Sequence, residues 1–200
     1  MRADPIPDDR NELARIIAQT CQLTGSFKLR SGQFSDHYFD KYRFEADPAL
    51  LSRVAQALAP LVPDDTELLA GLELGGIPIA TVLSGITGIS ARFVRKARKP
   101  YGTMALAEGG EIAGKRLTII EDVVTTGGQI LDSVKQLRTL GGEVNTVLCV
   151  IQRNHFAGEA MAVFAEEGLE LRSLFEEAEL LAPEFLNEPD QATGHDRTAD

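Results

Sequence analysis

Apolar positions in the first quarter of the chain follow a helical rhythm and then an alternating one. Leu13, Ile16, Ile17 and Thr20 fall on one face of a predicted helix that Asp9 or Asn11 is placed to cap and that runs to about Gly25. In "SFKLRSG" (Ser26–Gly32) and "HYFDKYRF" (His37–Phe44), aromatic and aliphatic side chains alternate with polar ones, which predicts two short strands around a Ser-Gly turn. Asp47 followed by Pro48 reads as an N-cap with proline at the first helical position, and Leu50, Leu51, Val54, Leu58 and Leu61 continue the stripe.

From Thr66 onward the pattern alternates strand with helix. "TELLAGLEL", "ISARFV", "KRLTIIEDV", "EVNTVLCVIQR" and "LELRSLF" are strand-like, whereas "GGIPIATVLSGITG", "GQILDSVKQLRTLGG" and "HFAGEAMAVFAEEG" have helical spacing. Near-continuous apolar strands separated by helices imply an α/β fold, a mostly parallel twisted sheet flanked by helices. Such a sheet binds ligands at the carboxyl ends of its strands.

Composition narrows the class. Two hundred residues, 44% hydrophobic and 25% charged, suffice for one domain with a full core. No apolar run approaches the roughly 20 residues of a membrane span. The amino terminus, "MRADPIPDDRNE", lacks a signal-peptide segment, so a cytoplasmic protein with no membrane partner is expected. Cys21 and Cys149 sit inside apolar patterns and read as small core residues. The net charge of −10 argues against a nucleic-acid surface. It is unevenly spread: from Glu176 to Asp200 there are eight acids and one arginine, so the rest of the chain carries only −3. Residues 181–200 lack periodicity and read as a mobile acidic tail on a domain of residues 1–180. Against this background "RFVRKARK" places five basic residues in eight and runs into Pro100 and Gly102, which makes a basic loop.

The chemistry concentrates in "LTIIEDVVTTGGQI" (Leu117–Ile130). A buried strand ends in Glu121 and Asp122, passes Val123 and Val124, and enters a loop of Thr125, Thr126, Gly127, Gly128 and Gln129 before a helix. Glycines let backbone N–H groups converge, hydroxyls add donors, and the helix dipole favours an anion there. A plain strand-to-helix turn with Thr126 as N-cap is the alternative. Two adjacent carboxylates would repel a phosphate unless hydroxyls or a cation lay between, so the pair points to a ribose 5-phosphate with Mg²⁺ nearby. No lysine follows the glycines, which excludes a Walker-type loop. "GLELGGIPIA" (Gly71–Ala80) is a second glycine-rich turn suited to a pyrophosphate, and Arg95, Lys96 and Lys99 supply cations for it.

"IIEDVVTTGGQI" resembles the phosphoribosyl-pyrophosphate signature of type I phosphoribosyltransferases. With "FKLRSGQFSDHYFD", "GLELGGIP", "VRKARKPYGT" and "VIQR" in that order, residues 10 to 180 look like an orotate phosphoribosyltransferase. The resemblance implies a small N-terminal hood at about residues 10–45, a flexible basic catalytic loop, and transfer of ribose 5-phosphate from phosphoribosyl pyrophosphate to orotate. Mg²⁺ would be held mainly by substrate, with no direct protein ligand. It assigns catalysis to Lys99, Glu121 and Asp122, and phosphoribosyl-pyrophosphate binding to Arg95, Lys96, Lys99, Tyr101 and the run Glu121–Gln129. Orotate falls to Arg30, Tyr38, Phe39, Thr125 and Arg153, and a homodimer shares the basic loop across its interface.

Three departures from the family pattern stand out. Tyr101 occupies a position where many members have histidine, Leu74 and Gly75 stand where some carry a Tyr-Lys pair, and Arg30 replaces the more usual lysine. The rival functions are a phosphoribosyltransferase for another base and a regulator that senses phosphoribosyl pyrophosphate and binds nucleic acid. The latter lacks a basic face or room for a helix-turn-helix module.

Overall fold

The uninterrupted apolar runs become the interior of a six-stranded sheet. The computed structural model describes residues 7–28, 32–97, 106–153 and 156–181. The sheet strands are Leu68–Leu72 (β3), Ser90–Val94 (β4), Ala107–Glu108 (β5), Arg116–Val124 (β6), Glu143–Gln152 (β7) and Glu170–Glu176 (β8), in the order β5-β4-β3-β6-β7-β8. All neighbours are parallel except β4 and β5. Every residue of β3 is buried, as expected for a strand covered on both faces.

One face is packed by the helices Pro7–Cys21 (α1), Pro48–Leu58 (α3) and Gly76–Thr87 (α4), whose Ile17, Val54, Leu58, Ile79 and Leu83 are fully buried with Leu69, Ile120 and Leu148 of the sheet. The other carries Gly128–Thr139 (α5) and Glu159–Glu166 (α6), where Val134, Leu137 and Phe164 meet Ala70, Ile119 and Val147. Asp47 caps α3 as expected, its Oδ1 accepting from the N–H groups of Ala49 and Leu50 at 2.9 and 3.0 Å. No helix of the described residues is long and apolar enough to cross a membrane.

The amino-terminal hood is an antiparallel ribbon of Gln22–Lys28 (β1) and Phe34–Phe39 (β2) followed by a short helix, Tyr42–Ala46 (α2). Here expectation and structure differ. The first helix begins at Pro7 and stops at Cys21, and the second half of "HYFDKYRF" is helical, because Phe44 is drawn completely into the core beside α1 and α3. The return from the basic loop also holds more than loop: Leu106 is buried and β5 closes the sheet edge against β4. The acidic tail beyond Leu181 lies outside the described residues.

Candidate active site

Strand order reverses between β3 and β6. The chain runs from β3 outward to β4, then returns to the other side of β3 to lay down β6, β7 and β8. Loops leaving the carboxyl ends of two strands that part in this way enclose a crevice. The two loops at this point are the glycine-rich turn after β3 and the acid–threonine–glycine loop after β6. They touch: a Cβ placed on Gly75 would overlap the Asp122 carboxylate, and one on Gly76 would overlap the carbonyl of Ile120. Glycine at 75 is thus required by proximity, since its own φ of −68° suits any residue.

Around Asp122 the structure assembles a cluster that the linear pattern did not announce. Asp122 is fully buried; its Oδ2 lies 2.5 Å from Lys41 Nζ and its Oδ1 accepts the Val123 N–H at 2.6 Å. Lys41 stands at the start of α2, so it ties the hood to the sheet. Glu45, one turn on, and Glu121 both lie close enough to the same carboxylate to interact with it. Among the described residues Glu45 Oε1 and Asp122 Oδ2 are buried oxygens without a hydrogen-bond partner, Oδ2 having only the Lys41 ion pair, which two ionised acids could not tolerate. A proton on one of them turns repulsion into a hydrogen bond. Burial, then hydrogen bonding to Asp122, pushes the Glu121 carboxyl up to about 9 and that of Glu45 up to about 8. Burial works against ionised Asp122 as well, but Glu121, the Lys41 ammonium and Glu45 outweigh it and hold its carboxyl below the ordinary value. Burial likewise opposes the Lys41 ammonium and Asp122 overrides it. At neutral pH the raised carboxyls of Glu121 and Glu45 and the Asp122–Lys41 ion pair leave the cluster with little net charge.

The loop after β6 is open to solvent at Thr125, Thr126, Gly128 and Gln129. Helix α5 is capped by Gly127 in the left-handed region (φ 74°) and not by Thr126, and no side chain caps its N-terminus. Gly127 is buried against Phe164 and Phe156, where a Cβ would collide with the Phe164 ring. The first N–H groups of α5 are consequently free of a side-chain cap at the mouth of the crevice, an anion site in geometry and dipole. Of the two valines before the loop, Val124 is buried in the core and Val123 is partly buried.

The root of the basic loop is pinned beside the glycine-rich turn. The Arg95 N–H donates to the Leu106 carbonyl at 2.9 Å, the Lys96 N–H donates to Glu73 Oε2 at 3.2 Å, and both side chains are exposed. Lys99 and Tyr101, like Arg30 in the hood, lie outside the described residues.

A cleft lies on the far side of β6, lined by Phe39, Val123, Ile151, Arg153, Glu177 and Leu180. It brings together two residues expected to hold a base, Phe39 and Arg153, although they are far apart in sequence. Tyr38 is half-exposed and stacks on Phe27 with ring centroids 5.5 Å apart. The Arg153 N–H donates to the Val124 carbonyl at 2.9 Å, and its Nε lies 3.4 Å from Glu177 Oε1. Lys41, Glu45 and Glu177 were missed in the sequence: Lys41 sat in a stretch with strand-like alternation, Glu45 just beyond it, and Glu177 in an acidic run.

No family model matches the chain. Individual proteins do. It is 55% identical over 168 residues to an orotate phosphoribosyltransferase of a Nocardioides strain, covering 84% of this chain and 92% of that one. The crystal structure of Mycobacterium tuberculosis orotate phosphoribosyltransferase in complex with Fe(III) dicitrate superposes with a TM-score of 0.76 at 34% identity, over 86% of this chain and 98% of that one. The same enzyme in complex with phosphoribosyl pyrophosphate gives a TM-score of 0.71 at 32% identity, with the same coverage. A neutralised acid pair, an uncapped helix start and an arginine-bearing cleft around one crevice, in a chain this similar along most of its length, leave one conclusion: the protein belongs to the orotate phosphoribosyltransferase family.

Proposed function

We propose that the chain transfers ribose 5-phosphate from phosphoribosyl pyrophosphate to N1 of orotate, releasing pyrophosphate and forming orotidine 5′-monophosphate. The observation that carries this reading is the meeting of the glycine-rich turn, the acid cluster and the uncapped α5 at the reversal of strand order. The 5′-phosphate binds the N–H groups and hydroxyls of Thr125–Gln129. Pyrophosphate lies on the Gly75 turn, where Arg95 and Lys96 reach it from the root of the basic loop. Orotate enters beside Phe39 and presents its carboxylate to Arg153, whose planar guanidinium suits a bidentate pair; Tyr38, Thr125 and Arg30 complete its surroundings.

As the glycosidic bond to pyrophosphate loosens, positive charge grows on the anomeric carbon and negative charge on the leaving group. Catalysis is then chiefly positioning and electrostatics. Glu121 is the acid less shielded from solvent and holds the ribose hydroxyls; Asp122, beneath Lys41, supplies the fixed negative charge behind it. Among the described residues no three acids, histidines or cysteines converge as a metal cage. Hard carboxylate oxygens at Glu121 nevertheless suit a Mg²⁺ carried in on substrate oxygens. When bound, Mg²⁺ supplies positive charge that offsets the pyrophosphate and favours the ionised form of Glu121. Family membership supports a homodimer in which Lys99 and Tyr101 serve the site of a second copy, and a cytoplasmic enzyme.

Mixing the protein with orotate, phosphoribosyl pyrophosphate and Mg²⁺ should give loss of orotate absorbance. No turnover at any Mg²⁺ concentration, or preference for hypoxanthine, adenine or uracil, would overturn the assignment. Replacing Lys99 by alanine should lower kcat by a factor on the order of 10² with the fold intact, if the loop stabilises the leaving group.

A further inference from the structure

The arginine of the base cleft has a partner with a defined support. Arg153 is fixed at its root, its N–H donating to the Val124 carbonyl at 2.9 Å and its carbonyl accepting the Phe156 N–H at 2.9 Å. At its tip, Nε faces Glu177 Oε1 at 3.4 Å, and the two side chains are only 35% and 20% exposed. Glu177 opens a short helix, Glu177–Leu180 (α7), the last among the described residues, that is held from two directions. Within it, Glu176 and Glu179 form a reciprocal capping box, the Glu176 N–H donating to Glu179 Oε2 at 2.7 Å. From α1, Arg10 pairs with Glu179 Oε1 at 2.8 Å, donates to the Leu174 carbonyl at 2.8 Å, and lies 4.8 Å from the centre of the Phe175 ring. Leu180 is buried beneath. Glu177 is thus mounted on the body of the protein.

A guanidinium can meet carboxylates along two edges, the one that includes Nε and the one formed by the two Nη groups. An acid at Nε leaves the terminal edge for a second anion. The cleft that Arg153 shares with Phe39, Val123 and Ile151 is apolar on those other sides, so an anion there has few other partners. We propose that Glu177 is a positioning residue for base recognition: it anchors Arg153 by the Nε edge, so that the Nη edge faces the carboxylate of the incoming base. This rests on the reading that the base is orotate and adds to it a residue outside the substrate-binding motifs. The alternative geometry, in which Glu177 is a place-holder that the substrate carboxylate must displace, predicts the opposite sign.

Steady-state kinetics on the full-length protein separate them. Glu177→Ala should raise KM for orotate about tenfold while kcat and KM for phosphoribosyl pyrophosphate stay within about twofold. Glu177→Gln, which keeps the length and an oxygen facing Nε but loses the charge of the ion pair, should raise KM for orotate less than Glu177→Ala. Glu177→Asp, which withdraws the acid by one methylene, serves where the alanine variant fails to fold, and should also raise KM for orotate. In an Arg153→Ala background, Glu177→Ala should have no further effect on orotate. An unchanged or lowered KM for orotate in Glu177→Ala, or a parallel rise in both KM values, overturns the proposal. Parent protein that turned over no orotate would overturn the activity and this role together, whereas an active parent with insensitive Glu177 variants would sink the role alone.

Discussion

Replacing Lys41 by methionine tests the acid cluster most directly. Methionine keeps the length and apolar stem of lysine but removes the ammonium 2.5 Å from Asp122 Oδ2. Asp122 is 0% exposed, so it would be left as a buried charge with only the Val123 N–H to serve it. Removing one member of a buried pair costs about 3–5 kcal/mol; because the Lys41 side chain is 32% exposed and one hydrogen bond survives, about 3 kcal/mol is expected. For a chain of this size that is a fall in melting temperature of roughly 6–12 °C, measured by calorimetry at fixed protein concentration. Asp122→Asn should cost less, on the order of 1 kcal/mol, since the freed lysine can turn to water. The double variant should then be more stable than Lys41→Met alone, because it buries no unpaired charge. A Lys41→Met protein melting within about 2 °C of the parent, or a double variant no better than the single, would refute the account of Asp122 as the charged centre of the cluster.

Two further predictions concern the same crevice. Glu45 has a folded-state carboxyl at about 8, above its ordinary 4.5, so its contribution to stability is complete below about 4.5 and is lost as pH rises toward 8. Asp122, lowered, acts in the opposite sense and only below its ordinary range, whereas Glu121, raised to about 9, acts in the same sense as Glu45. Between pH 5 and 9 the ligand-free protein should therefore lose melting temperature as pH rises, and Glu45→Gln should reduce that slope and leave the share of Glu121, whereas a parent with a level profile there would contradict the buried protons. Gly75→Ala should cost about 1–3 kcal/mol and weaken phosphoribosyl-pyrophosphate binding, because its Cβ must displace the Asp122 carboxylate; an alanine variant with parental stability and KM would show that the two loops do not abut.

Much of the scaffold could be read in advance from local rules. The alternation of fully apolar strands with helical stripes predicted a parallel sheet covered on both faces, and Asp47 with Pro48 marked a helix start that the side chain does cap. The rules failed where tertiary packing outbid local preference. Phe44 could have belonged to a strand by alternation, but its burial between α1 and α3 makes that segment helical and carries Lys41 and Glu45 to the acids. At Thr126, a good N-cap residue, the cap passes to Gly127 because Phe156 and Phe164 leave room for no side chain there. The charge argument also changed: two adjacent acids look doubly negative on paper, and burial with a shared lysine leaves the cluster neutral.

The sequence by itself determined the fold class, the two glycine-rich strand-to-helix turns and the residue types at their tips, because hydrophobic period and glycine chemistry act within a few residues of chain. Only the tertiary structure decided which acid carries the charge, that Lys41 neutralises it, and that Glu177 holds Arg153. Those properties depend on burial and on distances of a few ångströms between side chains far apart along the chain, and neither quantity is written in the local pattern.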